Sequence, residues 1–380
     1  MKRIGNIRKK FLTRERLILI TNQLTTNEKR RDWTPAVTHD WEVFFADFEN
    51  NIDRIHNQLR YQIWVPGPFK VFTKKEGTKI REIYASRPEE LIVDTLLFDC
   101  LMYVFFERKK VIHPNCYGSI KGKGQHELRK KVIGLVHNRK DLYVGCWDTK
   151  KYYPTINHQV CMQILSSHIK DRWLLWLGEI CLKRMGKIGV ALGLPSSNPM
   201  GHIYHSIIDW LIITKYGVQK YYRFCDDIWI IHTNKNYLHT ISRELIEETA
   251  NVLKQTVKPN WRVIWCKEER FECLGAMINS HGARLKSFSR RRIERHMRKC
   301  IRVGDPMLAL RCWSGVKGGL RDLSVSNLIN YWHRVYPEFF DMIRWARYIL
   351  KKRQAYKRKN KLIYNITIEL NKQHESFNKK

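Results

Sequence analysis

The chain has 380 residues, 43% of them hydrophobic and 12% aromatic, which is enough for two or three folded domains. Its 70 lysines and arginines against 36 acidic residues give a formal charge of +34, and such an excess attracts polyanions through counterion release. We therefore expect nucleic acid as the main partner. A protein that is basic merely for solubility is the weaker alternative, because basic footprints of this size usually mark polyanion binding.

Membrane insertion and secretion are not expected from the sequence. The longest apolar stretch, residues 91–106, contains Asp94 and Asp99 and is shorter than the roughly 20 apolar residues of a membrane span. The apolar LILI run near the start is too short for a secretory signal. The ten cysteines include no CxxC pair and no ligand spacing with histidine. We therefore expect reduced cysteines in a cytoplasmic protein.

The middle of the chain shows alternating strand and helix patterns. In chain order they predict a strand at 142–147, a helix at about 158–169, a helix after the turn at 193–199, a strand hairpin at 221–231, a helix at 237–257 and a strand at 261–266. This is the strand and helix order of a split β-α-β sheet. Such a sheet can bring Asp148, at the end of its first strand, close to Asp226, although 78 residues separate them.

Two adjacent carboxylates interrupt the apolar stretch YYRFCDDIWII. Asp226 and Asp227 lie among aromatic and β-branched residues, where a charge is costly unless it is paired or binds a metal. The alternative is that the pair simply turns a hairpin, but Phe224 and Ile228 on either side are strand residues that a turn does not need. Three converging carboxylates would raise one another's pKa, and oxygen ligands suit Mg²⁺ or Mn²⁺. Together with the basic charge, this indicates two-metal nucleotidyl transfer.

Two motifs resemble those of reverse transcriptases. FCDD (224–227) resembles the YxDD box, and CWDTKKYYPTINH (146–158) resembles motif A of bacterial retroelement enzymes. The resemblance implies that Asp148, Asp226 and Asp227 are catalytic and bind two Mg²⁺ ions, with Mn²⁺ as the alternative. It also implies that Tyr153 lies beneath the sugar of the incoming nucleotide and excludes a 2′-hydroxyl. An ordinary core aromatic is the other interpretation of Tyr153.

Segments before the carboxylates extend the resemblance. KIREI (79–83) is similar to a fingers motif that meets the triphosphate, which implies dNTP binding by Lys79 and Arg81; a solvated strand edge is the alternative. CYGSIKGKGQHE (116–127) is similar to a glycine-rich segment of these enzymes. It implies nucleic-acid binding by Lys121 and Lys123.

Segments after the carboxylates extend it further. KEERFECLGAMI (267–278) is similar to the primer-grip region and implies that Leu274 and Gly275 form this grip. SFSRRRIERHMRKCIR (287–302) is similar to the thumb of retron-type and diversity-generating enzymes. This helix carries cations that could follow a duplex backbone, and the residues implied to bind nucleic acid are Arg291, Arg295 and Arg298.

One segment departs from the family pattern. In GLPSSNPMGH (193–202), Ser196-Ser197 and Gly201-His202 replace the pairs found in related enzymes. The corresponding family segment packs against the nascent base pair, which implies dNTP binding by His202. We hypothesise an unusual nucleotide preference or mode of templating, which equal efficiency and accuracy opposite all four template bases would contradict.

The resemblance implies an α+β right-hand polymerase with fingers, a split β-α-β (ferredoxin-like) palm and an α-helical thumb. The expected divisions are a basic N-terminal extension, fingers with palm contributions, palm, thumb and a basic C-terminal tail, at residues 1–32, 33–141, 142–280, 281–349 and 350–380. No endonuclease, zinc-ribbon or HNH motif follows the thumb, so we expect a stand-alone bacterial enzyme.

The expected function is RNA-directed DNA polymerisation on a dedicated non-coding RNA, in antiphage defence. The expected partners are template RNA, DNA product and dNTPs, without a membrane, and an accessory protein or homo-oligomer stays open. A diversity-generating retroelement reverse transcriptase is one alternative. A catalytically silent, maturase-like RNA-binding scaffold is an alternative of another class.

Overall fold

The computed structural model describes residues 2–30, 33–76 and 79–356, without the side chains of residues 27, 28, 76 and 79. The fold is α+β, as expected, and the chain divides into two compact units. Unit 1 comprises Met1–Leu128 and Asp141–Cys266, and unit 2 comprises Arg129–Lys140 and the chain from Lys267 onward. Residues 267–280, the last part of the predicted palm, belong to unit 2, and the palm, fingers and thumb assignments stay predictions.

Helices make up most of the described structure. They are α1 (Ile7–Phe11), α2 (Arg14–Leu24), α3 (Asn27–Arg30), α4 (Pro35–Ala46), α5 (Phe48–Tyr61), α6 (Pro88–Leu101), α7 (Gln125–Val136), α8 (His158–His168), α9 (Arg172–Lys183), α10 (Ser197–Thr214), α11 (Lys235–Leu253), α12 (Ser287–Val303), α13 (Pro306–Leu320) and α14 (Ser326–Val335). A further helix, α15, runs through residues 337–356. A π-helical segment, Met102–Arg108, continues α6, and a 3₁₀ turn covers Tyr153–Thr155.

Within the described residues, the strands form three separate sheets. They are β1 (Lys70–Glu76), β2 (Lys79–Ala85), β3 (Cys116–Tyr117), β4 (Tyr143–Asp148), β5 (Tyr221–Phe224), β6 (Asp227–His232), β7 (Arg262–Trp265), β8 (Phe271–Cys273), β9 (Ala276–Asn279) and β10 (Gly282–Leu285). The strands β1 and β2 form a hairpin, and a five-stranded sheet in unit 1 has the order β3-β5-β6-β4-β7. In that sheet β3 pairs parallel with β5, and the other pairs are antiparallel.

The core of unit 1 lies between this sheet and the helices that pack around it. α11 packs on β4, β6 and β7, and α10 contacts α6, α8 and α11. The strands of this sheet are apolar at most positions. Four of their buried side chains are Val144, Ile230, Ile231 and Ile264.

One predicted helix ends earlier in the structure, and another helix was not predicted. α11 ends at Leu253 rather than at residue 257, because Lys254 takes a left-handed backbone conformation with φ of 53°. The next residue, Gln255, uses its side chain to donate to the Tyr152 carbonyl and to Thr155 Oγ1, both at 2.9 Å. The sequence patterns also did not predict α9, because its RWLLWL run is apolar at most positions and hides the helical period.

Unit 2 combines a small sheet with helices. The antiparallel strands β8, β9 and β10 have the order β10-β9-β8, and α12 packs on α13. A buried ion pair joins Arg129 to Asp322, with Nη2 and Oδ2 separated by 2.9 Å. The Trp313 ring contacts Phe339 and Phe340 edge-on, with centroid distances of 6.3 and 5.0 Å. These ring contacts pack α15 against α13.

Within the described residues, no helix is long and apolar enough to cross a membrane.

Candidate active site

The two predicted carboxylate segments meet at the end of the β4-β6 pair. Asp148, the last residue of β4, is the direct cross-strand partner of Asp227, the first residue of β6. Phe224 also pairs with Asp227, so Cys225 and Asp226 form a two-residue turn, and Cys225 has the positive φ of 53° that such turns favour. Direct partners project to the same face of a sheet. Asp226 therefore belongs both to the hairpin turn and to the carboxylate cluster of Asp148, Asp226 and Asp227.

The carboxylates of this cluster repel one another, and one lysine ammonium offsets part of that repulsion. Burial, and next the charge of Asp148, raise the pKa of Asp226 to about 6. The Lys258 ammonium forms an ion pair with Oδ2 of Asp148, whereas Oδ1 of Asp148 is buried without a hydrogen-bond partner. Like charges directly opposite each other in a sheet destabilise the pairing. Lys258 compensates Asp148 in part, and a bound cation would further favour the ionised form of Asp226.

A buried ion pair lies beneath the turn. Arg223 of β5 and Asp209 of α10 are both 0% exposed, with Nη2 and Oδ2 at 2.7 Å. Burial alone would raise the pKa of Asp209, but the charge of Arg223 and the hydrogen bonds to this carboxylate outweigh it and leave the pKa below its usual value. Arg223 Nη1 also donates to the carbonyl of Cys225 at 2.8 Å. A guanidinium that cannot lose its proton therefore ties the turn to α10.

Tyr153 lies beside the same turn. Its hydroxyl donates to Oδ1 of Asn198, on α10, at 2.8 Å. Burial raises the pKa of Tyr153, so the phenol stays neutral. The ring of Tyr152 packs edge-on against it, with centroids 4.9 Å apart. The steric-gate role stays a prediction, and a side-chain hydrogen bond with Cys225 brings its candidate next to the carboxylate turn.

The Gly201-His202 pair serves packing in this structure. A Cβ on Gly201 would lie 3.0 Å from the Tyr152 ring, so glycine makes room for that ring. His202 is 2% exposed, and its Nε2 lies 2.8 Å from the Gly118 carbonyl. Burial, and next the charge of Arg223, lower the pKa of His202 to about 3, so the imidazole is neutral. Its role in dNTP binding stays a prediction.

The Ser196-Ser197 pair is also engaged within the protein. Ser196 donates its backbone N–H, at 2.9 Å, and its hydroxyl to the buried carboxylate of Asp94 on α6. Ser197 donates its hydroxyl to the Ala191 carbonyl at 2.6 Å. Both side chains are buried. Their hydrogen bonds hold the start of α10, and an effect on nucleotide preference stays a prediction.

The predicted dNTP-binding cations are on the β1-β2 hairpin. Arg81 is exposed on β2, opposite Lys74 of β1. Lys79 is the first residue of β2, and its side chain lies outside the described part of the chain. Both roles stay predictions.

The two lysines of the glycine-rich segment differ. Lys121 is exposed. The Lys123 ammonium donates to the Pro114 carbonyl and lies 5.3 Å from the centroid of the Tyr117 ring. Lys123 therefore stabilises its own segment here, and Lys121 is the more accessible of the two for nucleic acid.

The remaining predicted residues belong to unit 2. Leu274 and Gly275 form the turn between β8 and β9, the predicted hairpin position, with positive φ values of 49° and 80°. The predicted thumb helix is α12, on which three exposed arginines recur at the i, i+4 and i+7 spacing of one face. With Phe288 they line a groove of about 360 Å³, and they are Arg291, Arg295 and Arg298.

Three residues that contact the predicted site residues were not predicted, namely Arg223, Lys258 and Asn198. A signal existed for the first, because Arg223 and Asp209 are opposite charges inside apolar runs, a pattern that marks buried pairs. No local pattern distinguishes Lys258 or Asn198 from other surface residues, since only the tertiary fold brings them to the carboxylates and to Tyr153.

The donor chemistry of the cluster fits a hard divalent cation. It offers carboxylate oxygens alone, one of them a buried oxygen without a partner. Across residues 2–30, 33–76 and 79–356, however, no three His, Cys, Asp or Glu side chains are grouped closely enough to hold a metal ion. A cation binding here would compete with Lys258 for Asp148. The carboxylates are therefore suitable ligands for a divalent cation, but they would have to move closer together to bind one.

No family model and no curated protein matches this chain. Any function assigned to it therefore rests on its own residues.

Proposed function

We propose that the protein is an RNA-directed DNA polymerase and that Asp148, Asp226 and Asp227 carry nucleotidyl transfer. The observation that supports this most is the cross-strand pairing of Asp148 with Asp227, next to Asp226 in the turn. Sequence-distant carboxylates at one sheet end, in a strongly basic chain, suit phosphoryl chemistry on a polyanion.

Two Mg²⁺ ions, or Mn²⁺, are part of the proposal. When bound, such ions activate an attacking hydroxyl and stabilise a leaving pyrophosphate. The three aspartates would hold them, Lys258 would yield Oδ2 of Asp148, and Arg223 would keep the turn in place through the Cys225 carbonyl. The raised pKa of Asp226 supports this assignment, because a cation would favour its ionised form.

Deoxynucleotide selection is proposed for Tyr153. A bulky flat side chain beside the carboxylates can reject one extra oxygen on a sugar, and the hydrogen bond to Asn198 fixes the orientation of the ring. Binding of dNTPs is further proposed for Arg81, Lys79 and His202.

The right-hand architecture is likewise proposed. The strand order β5-β6-β4-β7, with helices between β4 and β5 and between β6 and β7, is that of a split β-α-β sheet and supports a palm. The arginine-rich α12 supports a thumb, and the Leu274-Gly275 turn supports a primer grip. The β1-β2 hairpin would belong to the fingers.

The proposed biological role is antiphage defence, with a dedicated non-coding RNA as template. Support comes from the buried Ser196-Ser197 pair, which departs from the family pattern while all three aspartates are kept. Such a departure suits an enzyme that copies one specialised template. A diversity-generating role remains the alternative within the enzyme class.

A silent RNA-binding scaffold is the second candidate. The observation that favours it is the Lys258 ammonium on Asp148, because an internal cation already compensates that carboxylate. The scaffold and the polymerase predict opposite outcomes for nucleotide incorporation.

Primer extension separates these functions. Wild-type protein is incubated with Mg²⁺, dNTPs and a primed RNA template. We expect extension by the wild type, background levels for Asp226→Asn, and wild-type extension for the control Asp53→Asn, which alters an exposed ion pair between α2 and α5. Tyr153→Ala should raise incorporation of rNTPs relative to dNTPs. The scaffold would be favoured if the wild type extended neither this template nor the RNA that copurifies with it, and still bound RNA tightly.

A further inference from the structure

The orientation of α15 is set by its buried face. Phe339, Ile343 and Ala346 are at most 2% exposed, and Trp313 of α13 contacts Phe339. Positions about 180° around the helix from this face must therefore point away from the core of unit 2.

An aromatic stripe occupies that outward face. Trp345, Tyr348 and Tyr356 are 55%, 47% and 67% exposed, and Lys352 is exposed between them. At 100° per residue these four lie within about 80° of arc, opposite the buried face. The rings of Trp345 and Tyr348 stack with centroids 5.4 Å apart and an angle of 23° between their planes. The Lys352 ammonium lies 4.9 Å from the Tyr348 centroid.

The same part of α15 is strongly positive. Five cations and no acidic residue occur between residues 342 and 356, and they are Arg344, Arg347, Lys351, Lys352 and Arg353. The nearest carboxylate on this helix, Asp341, forms an ion pair with Arg344. The stripe is therefore bordered by uncompensated positive charge over its later turns.

This combination selects the kind of partner. A single exposed aromatic residue needs no explanation, but several on one face among cations match how unpaired bases stack while phosphates meet lysine and arginine. A second copy of the chain would bring like charges together, which opposes self-association through this face. A duplex hides its base faces and would leave the rings unused.

We propose that the stripe of Trp345, Tyr348, Lys352 and Tyr356 binds single-stranded nucleic acid, with bases stacked on the rings and phosphates on the neighbouring cations. The site is distinct from the carboxylate turn and from the arginine groove of α12. It does not depend on the proposed polymerase activity, because binding is measured without nucleotides or Mg²⁺.

The test compares two kinds of 12-nucleotide oligomer on the full chain by fluorescence anisotropy. One carries bases, and the other has the same backbone with abasic sites, so only stacking differs. We expect the Trp345→Ala/Tyr348→Ala protein to bind the base-containing oligomer about tenfold or more weakly than the wild type, and the abasic oligomer within about twofold of the wild type. Alanine preserves the helix. Parallel measurements with oligo-U and oligo-dT distinguish RNA from DNA as the source of the bases.

Tyr61→Ala is the matched control. Tyr61 is 66% exposed and has Arg60 5.8 Å from its ring, but it lies on α5 in unit 1. This variant should bind both oligomers like the wild type. Unchanged binding by the double variant, or an equal loss on both oligomers, would overturn the proposal. So would a wild-type dimer that the double variant converts to a monomer without any change in oligomer affinity.

Discussion

At the residue scale, Asp94 shows how a family departure is built into the core. This carboxylate is 2% exposed on α6 and accepts two hydrogen bonds from Ser196. Burial raises its pKa to about 6, although the Ser196 bonds and the charge of Arg184 act in the other direction. The folded protein therefore binds this proton more tightly than the unfolded chain does.

The sign of the resulting pH dependence follows. Stability from this group is fully present below the unfolded value of 3.8 and is lost as the pH rises through about 6. We predict that the free energy of unfolding of the wild type, measured by urea denaturation, falls by about 2 kcal/mol relative to Asp94→Asn between pH 4 and pH 7.5. Ser196→Ala should steepen the fall, because it removes a donor to the ionised form. An unchanged difference between wild type and Asp94→Asn would contradict the assignment.

The sequence predicted that Asp148 and Asp226 lie close together, but it did not predict which side chains contact the site. The position of Asp148 near Asp226 follows from the order of strands and helices. The partners Lys258 and Asn198 come from the chain between strands and from a helix, and their contacts depend on side-chain geometry that no periodicity encodes. The pairing of Arg223 with Asp209 could have been predicted, because both are charges inside apolar runs. The hydrogen bond from Arg223 to the Cys225 carbonyl could not.

At the element scale, elements with a readable apolar pattern were predictable, and elements without one were not. The β4 to β7 strands, α8 and α12 lie close to their predicted positions, since each shows an apolar strand run or an apolar helical face. The strand β3 has only two residues, and it pairs with β5 more than a hundred residues later. Such a strand has no period of its own, because long-range pairing alone creates it.

This short strand leads to Gly118, which supports the carboxylate hairpin. A Cβ at Gly118 would lie 2.9 Å from Cys225 Sγ and 3.4 Å from the Phe224 ring, and its φ is +88°. We predict that Gly118→Ala destabilises the protein by about 2 to 4 kcal/mol, from left-handed strain plus displacement of the hairpin. Primer extension should fall as well, because the turn that carries Asp226 must move.

Gly217→Ala is the matched control for that prediction. Gly217 also has a positive φ, of +62°, but a Cβ there would meet nothing within 4 Å. It should cost only the backbone strain, about 1 to 2 kcal/mol, and leave primer extension unchanged. Equal losses of stability and activity in the two variants, by thermal unfolding and extension assays, would show that the contact with Cys225 is unimportant.

At the scale of the whole molecule, the formal charge of +34 sets how nucleic acid is bound. Each phosphate that a cation neutralises contributes about 0.7 to 0.9 to the slope of log affinity against log salt. We predict that replacing Arg291, Arg295 and Arg298 together by Gln lowers this slope by about 2 on an RNA–DNA duplex, because these side chains line one groove of α12. Fluorescence anisotropy from 50 to 300 mM KCl measures it.

The location of the charge, and not its amount alone, decides the outcome. A control protein with Lys235, Arg243 and Lys254 replaced by Gln loses the same three charges from exposed positions on and after α11. If α12 follows the duplex backbone, the control keeps a slope close to that of the wild type, and the α12 variant does not. Equal slopes for the two variants would mean that the net charge attracts the duplex without a defined track, and the thumb assignment of α12 would then lose its support.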